Sequence, residues 1–388
     1  MKEVIATETL PIKVWAEIIE DGAKEQAKHL ANLPFAFHHV ALMPDAHWGY
    51  GMPIGGVLAT EMVIIPNAVG VDIGCGMCAV RTSLTELDTD SLKKILAGIR
   101  EAVPLGFDWH ETAQDEKLLP PRPDEAKSPV VRGQYNKALK QIGTLGGGNH
   151  FIEIQRGSDG FVWLMVHSGS RNLGKQVAEH YNEIAKKLNR RWRSAVPPAW
   201  DLAFLPIETS EAKCYLAEMQ YCVDFALANR KLMVERIQDA FRAVTPGIAF
   251  DSFINIAHNY AAIENHFDAN VIVHRKGATQ AREGQLGIIP GSQGTKSYIV
   301  RGKGNPESFQ SCSHGAGRVM GRKQAIRELD LKTEQEALDR QGILHSIRHQ
   351  EDLEEAPSAY KNIDTVMANQ RDLVDIEVEL SPLAVIKG

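Results

Sequence analysis

The period of the apolar residues changes twice along this chain, and that limits the available folds more than any other feature. Up to about Arg81, short apolar runs alternate with glycine-rich loops, as in "HHVALMPDAHWGYGMPIGGVLAT" and "VIIPNAVGVDIGCGMCAV". Such runs predict strands broken by tight loops. "HFIEIQ" and "FVWLMVH", separated by "RGSDG", predict a hairpin. From Asn172 to about Val244 the repeat becomes helical: Leu216, Met219, Val223 and Ala226 keep one face, as do Met233, Ile237 and Phe241. Tyr221, Cys222 and Phe225 fall off that face, which predicts a helix buried on more than one side. Strand-like runs return at "VIVHRKGA", "QLGIIPG" and "SYIVRG", and helices are expected from Arg318 onward. "DTDSLKKILAGIREAV" predicts a capped helix starting after Asp88 or Asp90. "LPPRPDEAKSP" predicts an exposed loop inside the domain, not a linker. The expected fold is α+β: one large domain over 1–388, with mixed β-sheets and a helical insertion at about 172–244.

A chain of 388 residues can bury a large core, and 44% hydrophobic with 24% charged residues is the balance of a soluble globular protein. No run approaches the ~18 apolar residues of a membrane span. The start lacks an apolar leader, so a cytoplasmic, membrane-free protein is expected. Five cysteines, an odd number in a long chain, do not form a disulfide framework. The net charge of −6 excludes a protein coated in basic surface but leaves room for a local basic groove. "KKLNRRWR", Lys186 to Arg193, is one candidate for RNA contact, with Trp192 interleaved. Charge runs are more often a solvated helix face, and that reading is preferred here.

Residues with metal-binding chemistry sit in glycine loops or at the ends of apolar runs. "GVDIGCG" places Asp72 and Cys75 in one tight loop, where a carboxylate and a thiolate can grip the same ion. Cys75 and Cys78 form a single CxxC; without a second pair it is no zinc ribbon. In "TLGGGNHFIEI", Gly146, Gly147 and Gly148 leave backbone N–H groups open to a close ligand. Asn149, His150 and Glu153 follow. Strict alternation would put His150 on the face opposite Asn149 and Glu153, so one pocket holding all three requires an irregular start to the strand. "WLMVHSGSRNLG" ends a strand in His167, and its Ser168, Ser170, Arg171 and following helix start could bind an anion. His258 ends the run "INIAHNYAA". "HRKGAT" and "IIPGSQGTKS" add basic, glycine-rich loops of the phosphate-holding kind.

Asp72, Cys75, His150, His167 and His258 thus form a candidate ligand set. One thiolate can bridge two ions, an arrangement suited to phosphoryl or nucleotidyl transfer. "SCSHGAGR" then holds a histidine left over, His314, between small residues. An expected helix after it and Arg318 favour an anion beside the ring. That environment suits a histidine that attacks phosphorus.

The chain resembles the RtcB family of GTP-dependent RNA-splicing and RNA-repair ligases. The matching runs are "MPDAHWGYGMPIGG", "GVDIGCGMCAVRT", "GGGNHFIEI", "HSGSRNLG", "HNYA", "RKGAT", "IPGSQGT", "SHGAGR", "EEAPSAYKNID" and "PLAVIKG", in the family's order from Met43 to Gly388. The resemblance implies that His314 takes GMP from GTP and that Cys75 bridges two Mn2+ ions. Asp72 and His150 would complete one ion, His167 and His258 the other. Asn149, Glu153, Ser292, Tyr360 and Lys387 would contact the nucleotide, with Gly315 and Gly317 allowing close backbone approach. Arg171 and Arg318 would hold phosphates. Asp45 and His47 match a family motif, and Asp45 joins the catalytic set. The implied substrates are RNA ends with a 3′-phosphate or 2′,3′-cyclic phosphate and with a 5′-hydroxyl, in tRNA splicing or repair of cleaved RNA. The rival from the residues alone is a dinuclear-metal phosphohydrolase. A non-catalytic RNA-binding module would have no use for the ligand set.

Overall fold

Strand pairing gathers the short apolar runs into two large sheets. A computed structural model describes residues 1–388, apart from the side chain of Glu125. Among the described residues, the first sheet has the order Glu3–Ile5, Ile12–Val14, Ala36–His47, Ile54–Thr60, Ala269–Lys276, Asn259–His266. It is mixed, because Ile12–Val14 runs parallel to Ala36–His47 while its other pairs are antiparallel. The second sheet has the order Phe250–Ala257, Gly76–Thr82, Val162–Ser168, Phe151–Gly157, Val374–Lys387, Ser297–Gly302, Leu286–Ile289, and is antiparallel throughout. Helices and strands in separate stretches make the fold α+β.

The second sheet is covered on both faces. Cys78 and Val80 enter a core with Ile95, Ile99, Ile237 and Phe241, while the alternate residues Met77 and Ala79 face Met165, Ile254 and Ile288. The helix Thr89–Ala102 packs on the first face and starts where Asp88 accepts the N–H groups of Asp90 (3.0 Å) and Ser91 (2.9 Å).

Between Val162–Ser168 and Phe250–Ala257 run the helices Asn172–Trp192 and Ser210–Val244. The longer one does serve two cores. Tyr215, Met219, Cys222 and Phe225 pack with Tyr181 and Tyr135, and Met233, Val234, Ile237 and Phe241 pack under the second sheet. Each such side chain stabilises by roughly 1.5–3 kcal/mol when buried. That exceeds the at most about 0.7 kcal/mol by which a β-branched or aromatic residue disfavours a helix. No helix among the described residues is long and apolar enough to cross a membrane.

Two parts of the sequence reading need correction. The region after Arg318 is not only helical: it ends in the fourteen-residue strand Val374–Lys387, which pairs with Ser297–Gly302 on one side and Phe151–Gly157 on the other. Pro382 lacks an N–H for the ladder, and the register shifts between Pro382 and Ala384, where a bulge accommodates it. The strand was hidden by that interruption of its alternation. "HRKGAT" is also not a loop at its basic end, since His274, Arg275 and Lys276 close the strand Ala269–Lys276. The helices Asp21–Ala31 and Pro129–Gln141 were not anticipated.

Candidate active site

The register of the second sheet brings the candidate metal-ligand residues together. Gly76 stands opposite Ser168 on one side and Ala257 on the other, and Phe151 stands opposite His167. One residue beyond those pairs, Cys75, His258 and His150 meet around His167. The His258 N–H donates to the Cys75 carbonyl (2.8 Å) and ties two of these strand ends directly. Cys75 Sγ lies 3.2 Å from His167 Nε2 and 3.5 Å from His150 Nε2, and His150 Nε2 lies 3.6 Å from Asp72 Oδ2.

The ligand atoms fall into two sets that share Cys75. One is Asp72, Cys75 and His150; the other is Cys75, His167 and His258, each with its atoms within 4.8 Å of one another. Burial holds His150, His167 and His258 below the ordinary imidazole range, in the neutral form whose lone pair can bind a cation. Burial, and after it the Asp72 carboxylate, pushes the Cys75 thiol up, so an arriving cation must displace a proton. His258 Nδ1 is buried without a hydrogen-bond partner, the kind of orphaned atom that a ligand satisfies. Thiolate, imidazole and carboxylate together fit a divalent transition metal. His167 Nδ1 lies 3.0 Å from the Asn149 carbonyl, which orients Nε2 toward Cys75.

Asn149, His150 and Glu153 line one cavity of about 1070 Å³. The strand begins only at Phe151, so Asn149, at the end of a turn, and His150, between that turn and the strand, escape the alternation that would have separated them. Glu153 is buried, and burial, opposed by Gln155 and Lys387, pushes it up to about 8.

His314 lines the same cavity, its ring centroid 4.9 Å from that of His258. Its Nδ1 lies 2.6 Å from Asp45 Oδ2. The fully buried Asp45 comes from the strand Ala36–His47 of the other sheet. A carboxylate facing Nδ1 fixes the proton there and leaves Nε2, which has no hydrogen-bond partner among the described residues, as the free lone pair. Gly317, at φ +75°, passes so close that a Cβ there would meet the Asp45 carbonyl oxygen at 2.4 Å. His47, whose Nδ1 is 2.9 Å from the Asp45 carbonyl, is held at about 4 by burial, the backbone bond opposing.

Also in the cavity lining, Glu355 gathers four partners. Arg318 (3.1 Å), Arg322 (3.2 Å) and Lys387 (3.6 Å) form ion pairs with it, and the Tyr360 hydroxyl donates to it. Arg318 also sits 5.0 Å over the Tyr360 ring, and Lys387 5.6 Å over Phe151. Glu355 was not among the candidate residues picked out from the sequence. Its only signal was its place in "EEAPSAYKNID", because a glutamate among acidic neighbours looks like surface.

Several other residues with anion-binding chemistry have partners within the protein. Ser168 and Ser170 donate to the carbonyls of Leu145 and Ile73, so their hydroxyls pin the loop and do not face an anion. Arg171, at φ +60°, donates to the Leu145 carbonyl (2.9 Å) and lies 3.1 Å from His150 Nδ1, behind the ligand and outside the cavity lining. Arg318 lines the cavity, but its guanidinium is already engaged by Glu355, Tyr360 and the carbonyls of Glu354 and Met320. The helix expected beside His314 begins only at Arg322 and spans seven residues, so its N-terminus does not meet the ring. Arg275 is buried against Glu264. In 186–193, Lys186 pairs with Asp201 at 2.9 Å and Trp192 lies against Phe204, which makes the segment the end of a packed helix. Ser292, Gly315, Gly317, Tyr360 and Lys387 all line the cavity.

Fold and site define a class of α+β proteins in which a buried thiol–imidazole–carboxylate cluster opens into a cavity beside a carboxylate-held histidine. The family profile described as "tRNA-splicing ligase RtcB" matches residues 26–122 and 121–388. The RNA-splicing ligase RtcB of Escherichia coli (strain K12) is 39% identical over 100% of this chain and 99% of its own length. The tRNA-splicing ligase RtcB of Thermococcus kodakarensis is 34% identical over 95% of this chain and 92% of its own, and the RNA-splicing ligase RtcB of Mycobacterium bovis is 33% identical over 94% and 100%. The chain belongs to the RtcB family.

Proposed function

We propose that this chain is an RNA ligase that joins RNA ends carrying a 3′-phosphate or 2′,3′-cyclic phosphate to ends carrying a 5′-hydroxyl, with GTP as co-substrate. The observation that carries the reading is the Asp45-held ring of His314 beside the metal-ligand cluster. Relatives named RNA-splicing ligase support RNA as the substrate. His314 Nε2 attacks the α-phosphorus of GTP, a P–N bond forms, and the bond to pyrophosphate breaks. The Nδ1 proton stays on the ring, where Asp45 stabilises the cation that forms. GMP then passes from Nε2 to the RNA 3′-phosphate, and the 5′-hydroxyl attacks that phosphate and expels GMP. A cyclic end is first opened by water to the 3′-phosphate.

Asp72, Cys75 and His150 would hold one cation, and Cys75, His167 and His258 a second. The donor atoms alone would suit zinc equally, and the choice of Mn2+ rests on the family resemblance. Bound there, the ions would neutralise charge that develops on the phosphoryl oxygens. Asn149, Glu153, Ser292, Gly315, Gly317, Tyr360 and Lys387 are the proposed nucleotide contacts. Glu355 gathers Tyr360 and Lys387 within the cavity lining.

A dinuclear-metal phosphohydrolase would use the same cluster but would leave the Asp45–His314 pair without a task. Incubation with GTP labelled at the α-phosphate and Mn2+, followed by denaturing electrophoresis, separates the two. The ligase carries an acid-labile label that His314→Ala lacks, and it joins 3′-phosphate to 5′-hydroxyl ends but not 3′-hydroxyl to 5′-phosphate ends. Release of phosphate from RNA ends without any labelled protein would establish the hydrolase instead.

A further inference from the structure

Two aromatic rings stand uncovered at the mouth of the cavity. Trp48 is 66% exposed and Tyr50 80% exposed, and both line the cavity that holds His314. Their backbone is anything but loose. The Trp48 N–H donates to Glu20 (3.0 Å), Gly49 exchanges two hydrogen bonds with the Gln26 amide, and the Tyr50 carbonyl accepts from Lys276 Nζ (2.6 Å). Gly49 has no room for a side chain, since a Cβ would meet the Met52 carbonyl oxygen at 2.6 Å. The same segment begins at Asp45, so the rings are held in a set relation to His314. The exposed Lys323 also lines the cavity, and Arg322 shares the single carboxylate of Glu355 with Arg318 and Lys387, so positive charge remains in excess there.

A rigid backbone that presents two bare aromatic faces beside cations is the arrangement that binds unpaired nucleic acid: the rings stack on bases whatever their identity, and the cations hold phosphates. We propose that Trp48 and Tyr50 form a stacking platform for the unpaired bases adjoining the RNA end presented to His314. The proposal rests on the ligase reading for the identity of its ligand. Stacking favours no one base, so it fits an enzyme that must accept ends of differing sequence.

The test uses RNA ends with 2-aminopurine or an abasic site as the nucleotide next to the junction, placed in turn on the 3′-phosphate strand and the 5′-hydroxyl strand. Trp48→Ala, Tyr50→Ala and Trp48→Phe are compared with the unaltered protein. Stacking quenches 2-aminopurine fluorescence on binding, measured without GTP, and Trp48→Ala or Tyr50→Ala should relieve the quenching. Each alanine variant should raise KM for RNA by about 10-fold, with Trp48→Phe restoring most of it. The abasic substrate should raise KM for the unaltered protein similarly and erase its advantage over Trp48→Ala. The strand on which this happens identifies the end that stacks. Equal quenching and equal KM in all proteins, or a Trp48→Ala penalty that persists on abasic RNA, would overturn the platform. The GMP adduct is assayed separately: its absence from the unaltered protein defeats the ligase reading, while ring-dependent quenching still decides this one. Loss of the adduct in the alanine variants would assign the rings to the nucleotide and also overturn the proposal.

Discussion

Asp45 Oδ2 lies 2.6 Å from His314 Nδ1 and also accepts the backbone N–H groups of His314 (3.0 Å) and Gly315 (3.2 Å). One carboxylate oxygen therefore fixes the tautomer of the ring and the position of the loop that carries it. Its companion Oδ1 is buried without a partner, so the group is held for this contact and not for general solvation. In the proposed ligase reaction Asp45 would act through His314, as a positioning residue.

Asp45→Ala should slow formation of the GMP adduct by about 10²-fold, the cost of misplacing an attacking atom by roughly 1 Å. Single-turnover labelling measures it. Metal content should stay at the level of the unaltered protein, because Asp45 belongs to neither ligand set. Asp45→Asn, which can still accept from Nδ1, should lose less. An adduct rate unchanged in Asp45→Ala would remove the residue from the mechanism.

Cys75 is common to both ligand sets, whereas His258 belongs to one. Cys75→Ala should weaken both metal positions together, and His258→Ala only one. Elemental analysis after dialysis against limiting Mn2+ distinguishes them. Equal losses in the two variants would show that the sets do not share the thiolate. The raised Cys75 thiol also means that metal uptake releases a proton, seen by calorimetry in buffers of different ionisation enthalpy and diminished in Cys75→Ala.

Burial raises Glu153 from its ordinary range to about 8, so the folded, metal-free protein binds a proton there that the unfolded chain releases near pH 4.5. Stability from this group is full below about pH 4.5 and is lost as pH rises through about 8, because the folded state binds more protons across that window. Glu153→Gln keeps the neutral form at all pH values. Urea titrations from pH 6 to 9 should therefore show a smaller decline in the variant. Parallel declines would mean that Glu153 ionises normally.

Glu355 is 3% exposed at its side chain and holds Arg318, Arg322, Lys387 and Tyr360. Removing one member of a buried charge network leaves the others uncompensated, at a cost of about 3–5 kcal/mol. Glu355→Ala should be destabilised by that order in chemical denaturation and should bind GTP more weakly, since Tyr360 and Lys387 lose their anchor. Glu355→Gln, which keeps the volume and one acceptor, should lie between. A Glu355→Ala protein of unchanged stability and GTP affinity would make the cluster incidental.

The residue types of the candidate ligand cluster and the local elements that carry them were legible in the chain. Asp72 and Cys75 share one loop, and His167 and His258 each close an apolar run, because strand ends and glycine loops are local patterns. Period also located the long helix and its two buried sides. The final strand was not legible, since Pro382 breaks its alternation. The carbonyl partner of Ser170 and the Glu355 partner of Arg318 were not legible either, because sequence shows that a side chain can bind an anion, not which group of the protein it meets.

Residue type, hydrophobic period and loop chemistry thus settle which groups exist and on what kind of element each one sits, because these depend on neighbours a few positions apart. The meeting of Asp45 with His314 across 269 residues is of another kind, as is the gathering of three histidines about Cys75. Those follow from which strands pair and in which register, where a shift of one residue turns every side chain to the opposite face. Register is set by the packing of two whole sheets and by bulges such as that at Pro382, and no short stretch of the chain contains that information.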